Sequence, residues 1–398
     1  MMRAKEFRNQ IGLQIRQGSP AEPRCAHAGE CGGCSFQDRL YADQVAAKGA
    51  IVAQLFSAAG IALPDGDASR VVPSPEPYGY RTRMDYVTTK GRFGLRARGK
   101  FNYVIDLHEC HLIPPPAFAA ARAIWVAACE LGLPDYNMRS HEGFMRYIVV
   151  RRSPTDALLI AMVTAAGDYA AEMEQLATLA LAQPGVVGFH WLLNDTLTDL
   201  SFGTVVRSWG AALLSMEVGA TQLAIGPNTF FQNNVHLLGQ LLDDVRLAAM
   251  SVGEAPRIAD LYGGVGTIAL HLAPFSTSVA CVEAVSESAA LAAQNAAAAG
   301  ITNVRTHAQD VLAFLREQAN GNYAVVVVDP PRTGMGPAVC TELLRMRPQR
   351  LIYISCNPLT QIEDLRNLEA GYRLTSFQSY DMFPHTPHLE TLALLDRV

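Results

Sequence analysis

No uninterrupted apolar run of about 18 residues, the length a membrane-spanning helix needs, occurs in this 398-residue chain, so no membrane span is expected. A secretory leader is missing too. Residues 1–17 mix Arg3, Lys5, Glu6, Arg8 and Arg16 with isolated apolar positions, which predicts an intracellular, cytoplasmic protein. Positive charge is not in excess: 32 Lys and Arg against 37 Asp and Glu give a net charge of −5, which taken alone argues against a nucleic-acid partner. No internal repeat is visible, and nothing indicates an obligate protein partner. What is plentiful is apolar sequence, 49% of the residues, enough for two or three domains that each bury a core.

The eight cysteines are not spaced as a disulfide framework. Cys129, Cys281 and Cys340 fall in helical or strand patterns and read as core residues. Cys25, Cys31 and Cys34 form C-x5-C-x2-C in a loop with Gly29, Gly32 and Gly33, and Cys110 follows within His108-Glu109-Cys110-His111. Three clustered thiols and a distant fourth suit either zinc or an iron–sulfur cluster, and spacing does not separate the two.

Cys356 has a different setting. The run Arg350–Ser355 predicts a buried strand, followed by Cys356-Asn357-Pro358 and a helix opening at Pro358. Asn is a good cap and Pro suits a first helical position, so the thiol is expected against a helix N-terminus, whose positive end favours thiolate. A lone cysteine is more often structural, and the residues that accompany Cys356 argue otherwise. Four apolar runs precede it, each closing on a polar site. Pro256–Tyr262 leads into Gly263-Gly264-Val265-Gly266 and a helix from Thr267 to about Leu272, Thr277–Val282 ends at Glu283, Val304–Ala308 precedes Asp310, and Tyr323–Val328 ends at Asp329-Pro330-Pro331-Arg332. Strands alternating with helices, with acids at the strand ends, predict a parallel doubly wound sheet carrying its ligand at the strand C-termini. The loop is not the dinucleotide fingerprint G-x-G-x-x-G. Glu283 stands near the interval at which an acid meets ribose hydroxyls, and Asp310 could accept from an adenine amino group.

Charge is informative locally. Between residues 81 and 100, Arg81, Arg83, Lys90, Arg92, Arg96, Arg98 and Lys100 face only Asp85, with Tyr78, Tyr80, Tyr86 and Phe93 interleaved. The alternation predicts a hairpin turning near Lys90-Gly91 that offers cations to phosphates and aromatic faces to bases. Hairpin strands are also expected at 147–152 and 158–163, a helix at 168–181 and a strand at 186–193.

Together these segments resemble the AdoMet-dependent RNA uracil-C5 methyltransferases. The resemblance rests on Phe230-Phe231-Gln232-Asn233-Asn234, the run from Asp260 to Gly266, Asp329-Pro330-Pro331-Arg332, Ser355-Cys356-Asn357-Pro358, and the run from Asp381 to Glu390. Tyr262-Gly263 departs from the Phe-Cys often found there. The resemblance implies an α/β Rossmann-like catalytic domain (226–398), a preceding α+β domain with the cysteine loop and RNA-binding surface (25–225), and a short extension (1–24) in place of the oligonucleotide-binding barrel of many members. It implies Cys356 as nucleophile and Glu390 as base, with Asp329 orienting the base or stabilising ring charge. Gln232, expected on a helix, would contact AdoMet together with Tyr262, Thr267, Glu283, Asp310 and Asp329. Cys25, Cys31, Cys34 and Cys110 would hold a 4Fe–4S cluster, as in ribosomal members, and the RNA expected is a hairpin-loop uridine of 23S ribosomal RNA, with transfer RNA as the alternative. An amino-group methyltransferase would carry an aromatic residue where Arg332 stands. The remaining alternative is an iron–sulfur RNA-binding protein without activity.

The chemistry explains this residue set. Uracil C5 is a weak nucleophile. A thiolate added at C6 makes an enolate that can take a methyl group at C5, and a base must then remove the C5 proton so that the thiol can leave.

Overall fold

The computed structural model describes residues 3–64 and 70–398; residues 1 and 2 of the expected extension lie outside them. Its larger sheet has eight strands in the order Val71–Val72, Tyr372–Tyr380, Glu390–Arg397, Arg350–Ser355, Val325–Val328, Arg257–Leu261, Ser278–Glu283 and Val304–Ala308. Only Glu390–Arg397 runs antiparallel to its neighbours. The central strands are apolar on both faces because both faces are covered. Ala259, Leu261, Val326, Val328 and Tyr353 face one helical layer, while Ile258, Val325, Val327, Ile352 and Ile354 face the other. The chain fills one side of Arg257–Leu261 and then crosses to Val325–Val328 on the other. The C-terminal ends of these two strands therefore flank the switch-point crevice where such sheets bind ligands.

A second sheet of seven strands runs Lys100–Asp106, Arg92–Ala97, Arg83–Thr89, Met145–Arg152, Leu158–Thr164, Val186–Leu193 and Thr204–Gly210. Helices Pro115–Glu130 and Ala170–Leu181 share its core. The basic hairpin turns at Lys90 (φ 52°) and Gly91 (φ 68°), both in the left-handed region that a tight two-residue turn requires. Its aromatic residues are placed otherwise than expected. Tyr80, Tyr86 and Phe93 are wholly buried, Tyr86 and Phe93 against each other and Phe118, so they are core side chains rather than base platforms. The cause is the two-residue period of a strand: cations and aromatics that alternate in sequence point to opposite faces.

The expected divisions at residues 25 and 226 cut across the packing. Helices Ala4–Ile15 and Tyr41–Ala58 pack into one layer of the larger sheet, and Val71–Val72 extends its edge. The hairpin Leu214–Val218/Thr221–Ile225 belongs to the opposite layer. Gln232 is likewise not helical. It lies in the extended run before helix Val235–Met250, whose cap Asn234 accepts from the His236 and Leu237 amides. Among the described residues no helix is long and apolar enough to cross a membrane.

Candidate active site

Strand register brings Cys356 and Glu390 together. Ser355 is paired with Thr391 and Ile354 with Leu392, so one further antiparallel step sets Cys356 opposite Glu390. Both sit where their strands reach the C-terminal edge of the parallel set, beside Asp329 at the end of Val325–Val328. Asn357 caps helix Pro358–Leu368 by accepting from the Leu359 amide, as its sequence requires, and its own amide donates to the Arg332 carbonyl at 2.8 Å. Cys356 therefore lies at a helix start, but it is a thiol at rest. Burial pushes it up to about 11, Glu390 and Asp329 push the same way, and Arg332 opposes them. The expected thiolate preference from the helix end is thus outweighed by desolvation and two carboxyl neighbours.

The carboxyl groups are perturbed as a pair. Burial raises Glu390 well above the usual carboxylate range, with Asp329 adding to the rise and Arg332 opposing it. Burial raises Asp329 to about 7, against a 3.2 Å hydrogen bond donated by the Gln232 side-chain amide. Glu390 Oε2 is buried without a partner. Around Cys356 lies a pocket of about 180 Å³ whose walls include Phe7, Arg8, Arg332, Asn357 and His388. Sequence reasoning missed Arg8, Arg332 and His388 as site residues. Burial and the surrounding cations Arg332, Arg8, Lys48 and Arg81 lower His388 to about 3, leaving it neutral. His385, by contrast, turns to Gln44, whose amide meets its Nδ1 at 3.2 Å. No metal-binding His, Cys, Asp or Glu cluster is present among the described residues.

The neighbouring crevice is lined by Phe231, Gln232, Tyr262, Gly263, Gly264, Thr267 and Asp329, among others. Tyr262 (φ 63°) and Gly264 (φ 56°) turn the backbone sharply, and helix Thr267–Leu272 follows. Glycine at 263 is required by its partner: a Cβ there would lie 2.5 Å from Cys281 Sγ. Glu283 and Asp310 are not among the lining residues. Glu283 Oε2 accepts from the Gly264 amide at 3.0 Å and so fixes the loop, while Asp310 caps helix Val311–Glu317.

Cys25, Cys31, Cys34 and Cys110 line one small cavity walled by Gly33, Leu95, Leu107 and Leu112, and none is in a disulfide. The Gly33 amide donates to Cys31 Sγ at 3.4 Å.

Comparison with known proteins decides the family. Residues 222–398 match the family described as tRNA (Uracil-5-)-methyltransferase. An uncharacterized RNA methyltransferase of Caldanaerobacter subterraneus is 32% identical over 97% of this chain and 87% of its own length. The tRNA (uracil(54)-C(5))-methyltransferase of Pyrococcus horikoshii is 31% identical over 94% of this chain and 85% of its own. The chain belongs to the AdoMet-dependent RNA uracil-C5 methyltransferases. The crystal structure of the Pyrococcus abyssi tRNA (uracil-54, C5)-methyltransferase, in complex with S-adenosyl-L-homocysteine, superposes on this methyltransferase with a TM-score of 0.77 and 28% identity. It covers 92% of this chain and 86% of that one. The methyl donor of this RNA uracil-C5 methyltransferase is therefore S-adenosylmethionine, and the expected α/β methyltransferase fold is the one observed.

Proposed function

We propose that this methyltransferase acts on a uridine of transfer RNA, with Cys356 as the nucleophile and Glu390 as the base. The observation that carries the roles is the strand register that sets Cys356 opposite Glu390, with Asp329 beside them. AdoMet supplies an electrophilic methyl group, and Gln232, Tyr262, Thr267 and Asp329 are the residues that would hold it, with Glu283 and Asp310 at the adjoining strand ends. Cys356 loses its proton to solvent and adds as the thiolate to uracil C6, which transfers electron density to C5. Once C5 is methylated, Glu390 takes the C5 proton, the C5–C6 double bond re-forms and the Cys356 sulfur leaves as thiolate. Asp329 keeps negative charge beside Glu390, which raises the basicity of that carboxylate. Arg332, which opposes the rise of both the Cys356 thiol and the Glu390 carboxyl, stabilises the charged forms through which the cycle passes.

Transfer RNA is supported by the named substrates of the Pyrococcus relatives. A hairpin-loop uridine of 23S ribosomal RNA is the second reading, supported by the four-cysteine cavity and its resemblance to ribosomal members. Those cysteines suit a 4Fe–4S cluster. Four thiolates on four different irons need only surround one cavity, whereas a single zinc ion needs them to converge on one point. The cluster would cross-link the 25–34 loop to the 108–112 segment. Mass-spectrometric mapping of 5-methyluridine in transfer and ribosomal RNA, with and without this protein, tests the assignment. A 5-methyluridine lost only from transfer RNA is expected, loss only from 23S RNA selects the second reading, and loss from neither refutes both.

A further inference from the structure

One cavity beside the basic hairpin lies outside the active site. A cavity of about 560 Å³ opens between the hairpin turn and the 136–139 segment, lined by Lys90, Arg92, Tyr103, Arg139, Arg146 and Tyr147, with Asp199 as the single lining carboxylate. Asp199 is already engaged by the Arg96 guanidinium and the Tyr147 hydroxyl. Arg146 is buried and spent on the carbonyls of Asn194, Thr196 and Thr198, so the floor is fixed. The rim differs: Lys90 and Arg139 are exposed, and Arg92, which donates to the Val104 carbonyl at 3.2 Å, keeps its guanidinium 4.5 Å from the ring centroid of Tyr103, which is 47% exposed. Cations around a partly apolar hollow with an accessible aromatic ring match the chemistry of one unstacked nucleotide, phosphate on the cations and base on the ring. The volume falls within the range of small-ligand pockets.

Continuity with the reaction centre identifies the ligand. A groove of about 690 Å³ shares Val87, Arg96 and Tyr147 with this cavity, and shares Arg8, Pro387 and His388 with the pocket that holds Cys356. Arg81, Arg98 and Lys100 line the groove between. We propose that the cavity is a second nucleotide site, which takes a single-stranded nucleotide of the same RNA whose uridine reaches Cys356. Lys90, Arg92 and Arg139 hold its phosphates and Tyr103 stacks on its base. The proposal rests on RNA as substrate and holds for either transfer or ribosomal RNA. The site sets affinity and register on the RNA and takes no part in the chemistry.

The test uses the full chain. Tyr103→Ala and the double variant Arg92→Ala/Arg139→Ala should each raise KM for the methylated RNA about tenfold, with kcat within about twofold. Tyr103→Phe should keep wild-type KM, because stacking needs the ring and not the hydroxyl. AdoMet affinity, read by calorimetry, should not change, which also shows that the variants fold. The double variant should flatten the salt dependence of RNA binding, because fewer counterions are released. Anisotropy with a labelled single-stranded RNA reads this binding whether or not a methylation target has been found, so failure of the substrate assignment is separable. Unaltered KM and salt slope in both variants would overturn the proposal. So would undiminished RNA binding in the presence of a free nucleoside monophosphate that itself binds more weakly to Tyr103→Ala, because the cavity would then serve a small anionic ligand.

Discussion

Lys48 and Asp381, 333 positions apart in sequence, meet at 2.5 Å in the interior, and neither side chain is exposed. Lys48 also donates to the Phe383 carbonyl, and Asp381 opens the segment that ends at Glu390. The same segment is held by Tyr80, which donates to the Pro384 carbonyl, and by the Ser35 amide, which donates to the His385 carbonyl. Helix Tyr41–Ala58 thus anchors the loop that leads to Glu390.

This pair gives the first prediction. Asp381 Oδ2 already lacks a partner, so Lys48→Met would leave a buried carboxylate without its cation. A loss of about 3–5 kcal/mol is expected by denaturant titration. The double variant Lys48→Met/Asp381→Leu should recover most of it, since the desolvation cost of both charges goes with them. A double variant no more stable than Lys48→Met would show that the pair matters through packing rather than charge.

A second prediction concerns pH. Asp329 is raised to about 7 and Glu390 well above the usual carboxylate range, each by burial. A carboxyl whose pKa is raised on folding contributes stability in its neutral form, fully present below its unfolded value of about 4 and lost as pH rises through the folded value. The protein should therefore be less stable at pH 8 than at pH 6, and Asp329→Asn should narrow the difference. If Glu390 is the base it works ionised, so kcat/KM should climb with pH on a limb above the usual carboxylate range. Asp329→Asn removes the neighbouring charge that helps to raise Glu390, and the limb should move to lower pH. A limb that stays put would separate the two carboxylates.

Buried strands were legible because β-branched runs covered on both faces leave little choice. Arg350–Ser355 has the bounds expected from sequence, as does the partly exposed edge strand Val304–Ala308, and Asn357-Pro358 marks the helix start. Motif residues on adjacent strand ends were legible for the same reason: sheet order forces Cys356, Glu390 and Asp329 to one edge. What sequence could not supply came from long-range packing. Arg8 reaches the Cys356 pocket because Phe7, Ile11 and Ile15 bury helix Ala4–Ile15 in the catalytic core, and no local pattern connects residues so far apart. The raised Cys356 thiol escaped notice because a helix start is visible in sequence whereas desolvation is not. Tyr103, the exposed ring beside Arg92, lay outside the window in which the basic cluster is evident.

The third prediction concerns the cysteine cavity. Anaerobic preparation should give a brown, oxygen-sensitive protein with roughly four irons per chain. Cys110→Ala should lose the iron and the visible absorption, since one iron would be left without its thiolate. Cys129→Ala should keep both, because Cys129 is exposed and outside the cavity. Stoichiometric zinc without iron under the same conditions would reject the cluster.

The last prediction separates Cys356 from Glu390. If Cys356 adds to C6, Cys356→Ala should abolish methylation while RNA and AdoMet still bind. If Glu390 removes the C5 proton, Glu390→Gln should stop the reaction one step later, after the methyl group has been transferred. Elimination needs that proton to leave, so the methylated uridine would stay bonded to the Cys356 sulfur. The buried, unpartnered Glu390 Oε2 makes glutamine a conservative replacement, close in shape and free of charge. It also relieves the like-charge neighbour of the Cys356 thiol, so attack should be no slower. The expected product is an RNA–protein adduct that survives denaturing electrophoresis, forms only with AdoMet, and is absent from the Cys356→Ala/Glu390→Gln double variant. Normal turnover by Glu390→Gln would assign the base to another group, and an adduct persisting without Cys356 would remove it as the nucleophile.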